Sequence, residues 1–167
     1  RGLGDVYKRQ LHFGKFQLIS SSSRPLIIQT PEGHSVHSKQ SMEYLGAVVH
    51  EDGKAHHEVN RRIGLASSDF RALTKIWTHS SLTWTGKLRV FSSIVESRLL
   101  YSLTAFCLNA ADIRRLDGFQ NRCIRKIIGV KPSYISRVSN KDVLTKAGHR
   151  PISELLRRRR LQLLGKV

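Results

Sequence analysis

A chain of 167 residues with 40% hydrophobic side chains has apolar material for one core, or for a domain with an appendage. Its 29 Lys/Arg against 12 Asp/Glu leave a formal net charge of +17, which points to a polyanionic partner or to strong adhesion to one. Two cysteines exclude a disulfide framework, no apolar run approaches the ~20 residues of a membrane span, and no signal peptide is visible, so the chain reads as intracellular.

The first ten residues, RGLGDVYKRQ, fit no pattern and are expected to be a non-native lead. Residues 11–19 and 26–28 read as short strands around a serine run and Arg24-Pro25. Pro31-Glu32-Gly33 is a turn, after which residues 34–39 pair back as an edge strand. The run Tyr44-Leu45-Gly46-Ala47-Val48-Val49 is too short for a helix and β-branched enough for a buried strand completing a small, antiparallel sheet. Glu51-Asp52-Gly53 then turns the chain into helices, and a domain boundary is expected at Gly53.

Val59, Ile63, Ala66, Phe70, Leu73 and Trp77 recur at steps of four and three, so one helix is expected from Ala55 to Trp77. Arg61, Arg62 and Lys75 lie off that stripe. Thr83 is placed to cap a second helix reaching Leu108, with Leu88, Phe91, Val95 and Leu99 inward and Arg98 needing an acceptor or a snorkelling path. Asp112 is expected to cap a third helix with Leu116, Phe119, Cys123 and Ile127 inward, stopped by Gly129 and Pro132. Gly118 within it suggests close helix packing. Residues 131–138 read as a loop and a second boundary. Ser139-Asn140-Lys141-Asp142 resembles a capping box opening a short helix closed by Gly148. Pro151 opens a last helix lined by Ile152, Leu155, Leu156, Leu163 and Leu164. The fold expected is mainly α with a small N-terminal β part: short strands, a three-helix bundle, then two basic helices.

The charge is uneven. Residues 113–167 hold 15 Lys/Arg against 3 Asp/Glu, whereas residues 1–112 hold 14 against 9. Cations that recur on polar helix faces fit a phosphate backbone, which they bind without reading sequence. The candidates are Arg61, Arg62, Lys75, Lys87, Arg89, Arg114, Arg115, Arg122, Arg125 and Lys126. Arg157, Arg158, Arg159 and Arg160 join them; they wrap every side of their helix, so one or two must face the core. Trp77, Trp84, Phe70, Phe91, Phe106 and Phe119 read as core, not as stacking platforms. No catalytic set is visible, and neither cysteine has histidines at metal-ligand spacing, so no metal site is expected.

Several stretches taken together resemble the reverse transcriptases of non-LTR (LINE-type) retrotransposons. They are Tyr44-Leu45-Gly46 with its Asp52-Gly53 turn, the Arg61-Arg62-Ile63 helix ending in Ile76-Trp77, and Lys87-Leu88-Arg89. Leu99-Leu100-Tyr101, Arg122 to Gly129 (RCIRKIIG) and Arg157-Arg158-Arg159-Arg160-Leu161 follow in the same order. The resemblance implies that residues 11–53 end the polymerase palm, 54–130 form a thumb-like bundle and 131–167 a basic helical segment, together a fragment gripping an RNA–DNA primer-template. It implies nucleic-acid contact at Tyr44 and Gly46, and makes Lys15 a weak candidate for the palm lysine that protonates leaving pyrophosphate. The family's aspartate pair is absent, so Mg²⁺ is implied only for the parent enzyme, and a nuclear location or a cytoplasmic ribonucleoprotein is expected. The alternative is a free-standing, non-enzymatic basic helical module that binds nucleic acid.

Overall fold

The computed structural model describes residues 16–21, 25–30, 33–79 and 81–165, and the chain divides into two compact units, 1–53 and 54–167. The division falls at Gly53, as expected from the sequence. Mainly α with a small N-terminal β part is the architecture found.

In the first unit β1 (Leu18–Ile19), β3 (Ser35–Lys39) and β2 (Ile27–Gln29) form a sheet in the order β1-β3-β2. β2 and β3 are antiparallel, but β1 runs parallel to β3, so β3 is the centre of this sheet and not its edge. Tyr44 to Val49 is not one buried strand. It is the bend of a hairpin, β4 (Ser41–Tyr44) against β5 (Ala47–His50), with Tyr44 opposite Ala47. Leu45 and Gly46 both have positive φ, 48° and 74°, the pairing a two-residue hairpin turn requires. Local turn geometry overrides the β-propensity of the run, and Leu45 stands 77% exposed where core was expected. The Asp52-Gly53 turn is as read, with Gly53 at φ 64°.

The second unit builds one core. α1 (His56–Ala72) buries Val59, Ala66 and Phe70, so the stripe is as read, but the helix stops before Trp77. It breaks at Leu73 and resumes as α2 (Thr74–Thr78). The break is held by side chains. The Trp77 indole donates to the Phe70 carbonyl at 2.7 Å and its ring stacks on Phe70 at 5.0 Å, while Thr74 Oγ1 donates to Arg71 O.

α3 (Trp84–Val90) starts at Thr83, whose hydroxyl accepts from the Gly86 N–H, as expected. It continues through a π-wound segment, Phe91–Glu96, into α4 (Ser97–Leu100). The wider winding turns Val95, Glu96, Leu99 and Leu100 inward together. Ser97 and Ser93 hydroxyls bond back to the carbonyls of Ser93, Ile94 and Val90 in this stretch. The helix ends at Leu100, not Leu108: Ser102 is left-handed, a 3-10 turn follows at Leu103–Ala105, and Cys107 is exposed outside any helix. Arg98 reaches Asp69 Oδ2 at 3.4 Å as an ion pair that is not a hydrogen bond, so this oxygen stays without a hydrogen-bond donor among the described residues.

α5 (Ala110–Ile128) is the central helix, in contact with α1, α3, α7 (Asn140–Ala147) and α8 (Ile152–Leu163). Leu116, Phe119, Cys123 and Ile127 all face inward. Its cap is Asn109, accepting from the Asp112 N–H at 2.8 Å; Asp112 sits three residues further on, buried in the first turn. Gly129 ends it at φ 72°. Among the described residues no helix approaches Gly118 closely: a Cβ there would meet only Arg122 Nη1 of them, at 3.7 Å. The segment 131–138 contains a short helix, α6 (Ser133–Ser136), and does not separate two cores. Val143, Leu144, Ile152 and Leu156 join the same cluster as Phe91, Leu99 and Leu116. Ser139 caps α7 as expected, its hydroxyl accepting the Asp142 N–H at 3.1 Å, but the same hydroxyl donates to Asp142 Oδ2 at 2.7 Å, so the side chains pair with each other in place of the reciprocal backbone bond of a capping box. Pro151 is the cap residue of α8, and Leu163 and Leu164 are exposed instead of lining the core. Full burial of a side chain such as Phe91 or Leu116 contributes about 2–3 kcal/mol, and ten large aliphatic or aromatic side chains are buried to this extent. Among the described residues no helix is long and apolar enough to cross a membrane.

Candidate nucleic-acid interface

Four of the nominated cations hold the fold instead of facing a ligand. Arg62 is 5% exposed; its Nε donates to Glu58 Oε1 at 2.5 Å, and its guanidinium lies over the Tyr101 ring at 4.6 Å. Glu58, wholly buried, also accepts from Ser102 Oγ at 3.0 Å and faces Arg61 at 3.5 Å. A buried carboxylate needs such donors, and the i,i+4 spacing of Glu58 and Arg62 announced the pair. Arg125 is 6% exposed. It donates to the carbonyls of Lys131 (2.9 Å) and Val138 (2.7 Å) and twice to Asn140 Oδ1, so it staples the 131–140 segment to α5. Lys87 Nζ donates to the Trp77 carbonyl at 2.8 Å, closing the turn between α2 and α3. Arg160 Nη2 donates to Phe106 O at 2.6 Å and Leu103 O at 3.3 Å, so it is the member of its run that turns inward.

The others remain on the surface. Lys75, Arg89, Arg114, Arg115, Arg122, Lys126, Arg157, Arg158 and Arg159 are exposed, and Arg61 is partly so. On α5 the spacing of Arg115, Arg122 and Lys126, seven and four residues, puts them on one stripe about 16 Å long. No carboxylate among the described residues is paired with these three. Their influence reaches the core: burial pushes the Cys123 thiol up to about 12, with Arg122 and Lys126 pulling the other way, so this thiol is inert. Tyr44 is exposed at the end of β4 and Gly46 lies in the hairpin turn. These two belong to the first unit and are not on the stripe of α5. Lys15 lies outside the described residues, as do residues 1–10.

The basic stripe borders a groove of about 680 Å³, lined by Asn121, Arg122, Arg125, Lys126, Val130, Pro132, Tyr134 and Asn140, among others. Tyr134 is 76% exposed. Neither Tyr134 nor Asn121 was singled out from the sequence, because the groove exists only once Arg125 draws the 131–140 segment against α5. Among the aromatics read as core, Trp77, Phe70, Phe91 and Phe119 are buried, whereas Trp84 is 45% exposed and Phe106 half-buried.

A second polar cluster joins the π-wound segment to the loop between α7 and α8. Ser92 Oγ is 3.2 Å from His149 Nε2, and His149 Nδ1 is 3.6 Å from Glu96 Oε2. The order is that of a nucleophile, base and carboxylate, yet the geometry is not. The His–Glu separation exceeds hydrogen-bond length, and Glu96 takes Gln120 Nε2 at 3.3 Å. The Gly148 and His149 N–H groups already donate to Thr145 O and Leu144 O, so they offer nothing to an oxyanion. The cluster is a clasp: Gln120, wholly buried, also donates to Arg150 O and accepts the Ile152 N–H at the start of α8.

Burial pushes Glu96 above its ordinary 4.5, against the Gln120 hydrogen bond and the Arg159 charge that pull it down, and pushes His149 below its ordinary 6.5, so both are driven toward their neutral forms. The signs are opposite in stability. The His149 contribution is complete above pH 6.5 and is lost as pH falls through the lowered pKa; the Glu96 contribution is complete below pH 4.5 and is lost as pH rises through the raised one. Urea melts from pH 7.5 downward are therefore expected to show less acid-side loss in His149→Gln than in the parent chain, and Glu96→Gln is expected to be relatively more stable at neutral pH than in acid. Parallel pH profiles for all three chains would contradict this account.

The acidic groups of the helical unit serve the fold. Asp69 takes Arg98, Asp117 accepts the Ser153 N–H, Asp142 closes the α7 cap and Glu154 pairs with Arg150. Carboxylates committed in this way do not fit the set of two or three aspartates that holds Mg²⁺ in a polymerase. No family model, curated protein or solved structure matches this chain.

Proposed function

We propose that this chain is the nucleic-acid-gripping thumb region of a retrotransposon RNA-directed DNA polymerase, without the catalytic aspartates and so inactive alone. The observation that carries this reading is the stripe of Arg115, Arg122 and Lys126 on the central helix, solvent-facing and without acidic partners among the described residues. Three cations about one to two helical turns apart on a rigid helix suit a polyphosphate backbone. The order of motifs from Tyr44 to Leu161 supplies the family. RNA and DNA, as a primer-template duplex, are the partners, and Mg²⁺ and nucleotides fall to the rest of the polymerase.

The alternative is a self-sufficient basic module. The N-terminal sheet favours the first reading, because Phe16, Leu26, Ile27 and Ile28 are 45–57% exposed. A self-sufficient sheet buries one face, whereas a sheet belonging to a larger palm leaves apolar strands for its neighbour to cover.

The test is binding of the 11–167 chain to a recessed RNA–DNA primer-template and to single-stranded RNA of equal length across a salt series. A preference for the primer-template that persists near physiological salt is expected. Equal affinities that collapse together with salt would reduce the interface to unshaped charge.

A further inference from the structure

Resting on the reading of this surface as a polynucleotide interface, we infer that the groove between α5 and α6 is a pocket for one unpaired nucleotide of a single strand. Three independent features converge there. The first is charge: Arg122 and Lys126 line the groove and stand on the stripe that would carry the adjoining phosphates. The second is a stacking surface. Tyr134 is 76% exposed beside Pro132, an arrangement that core packing does not explain, and an exposed ring offers its face to any base.

The third is an unmet acceptor. Asn121 is 7% exposed and lines the groove. Its Nδ2 donates to Asp117 O at 2.8 Å, which fixes the amide orientation, and its Oδ1 has no hydrogen-bond partner. A buried acceptor left unpaired is costly; this oxygen is closed to solvent, so an N–H donor on a base edge satisfies it once the side chains covering the groove floor shift aside. Arg125, buried, commits four of its five N–H donors to Lys131, Val138 and Asn140 and so acts on the wall of the groove more than on its occupant. The volume of about 680 Å³ lies in the range of small-molecule pockets and exceeds what a base needs. A duplex presents no free base face, so the occupant is single-stranded: an overhang or a displaced strand, next to whatever duplex the α5 stripe holds.

The test is fluorescence-anisotropy titration of the full chain with two labelled oligoribonucleotides of equal length and charge, one adenine-bearing and one abasic throughout. The adenine strand is expected to bind on the order of 10-fold tighter. Tyr134→Ala is expected to erase that margin, Tyr134→Phe to keep it, and Asn121→Leu to reduce it with the abasic strand bound as before. Tyr134 is so exposed that its removal does not threaten the fold, which a melt of each variant verifies. Equal binding of both strands by the parent chain, an unchanged margin in Tyr134→Ala, or displacement of the adenine strand by polyglutamate as readily as by unlabelled adenine strand would each overturn the pocket. Loss of the primer-template preference with the adenine margin intact would instead overturn the duplex grip alone.

Discussion

Replacing Arg115, Arg122 and Lys126 together by Gln is expected to weaken binding to an RNA–DNA duplex by roughly two orders of magnitude near 0.1 M salt, because each phosphate contact contributes about one power of salt concentration to the affinity. The slope of log K against log salt should fall in magnitude by about 2–3. Stability should change little, since all three side chains are exposed and none has a carboxylate partner among the described residues. The informative control is the matching triple change at Arg157, Arg158 and Arg159, also exposed but on α8. If the α8 change lowers the slope and the α5 change does not, the interface has been put on the wrong helix.

Arg125→Ala is expected to act through the fold. Its guanidinium makes four hydrogen bonds at 2.7–3.2 Å, and truncation takes the donor from the part-buried Val138 carbonyl and from Asn140 Oδ1, while Lys131 O keeps the Ser136 hydroxyl. A loss of about 3–5 kcal/mol is expected, corresponding to a melting temperature lower by roughly 10–20 °C for a unit of this size. Arg125→Lys should recover only part of it, because an ammonium cannot span the same fork of acceptors. Limited proteolysis should then cut the 131–138 segment first. Unchanged melting combined with weaker nucleic-acid binding would return Arg125 to the phosphate contacts among which its sequence neighbours place it.

The contrast between Arg122 and Arg125 shows where sequence reading stops. Both sit in one basic run on one helix, and periodicity separates them only by the 300° that three residues turn. Which side faces solvent depends on the loop that folds back over it. That loop is local in neither distance nor pattern: Arg125 meets Asn140 fifteen residues on. Arg62 differs, since its partner lies four residues earlier on the same helix and a local rule finds it.

The apolar stripes, the caps at Thr83 and Ser139, the stops at Gly129 and Gly148 and the division at Gly53 were legible because each depends on residues within one or two turns of one another. The sequence by itself therefore determined a mainly helical, strongly basic unit with its charge on the last third of the chain. Tertiary structure decided the rest. It joined the segment from Val138 to Leu156 to the same core as α1 and α5, whereas the hairpin at Tyr44–Ala47 and the break of α1 before Trp77 are local events, each closed by residues within seven positions of one another. It also sorted the cations into four that hold backbone or carboxylate and a larger set left to solvent. An unpaired buried acceptor is costly wherever the chain brings it, and for Arg125 and Arg160 the acceptors that claim the guanidinium are set by contacts far apart in sequence, not by the residues on either side.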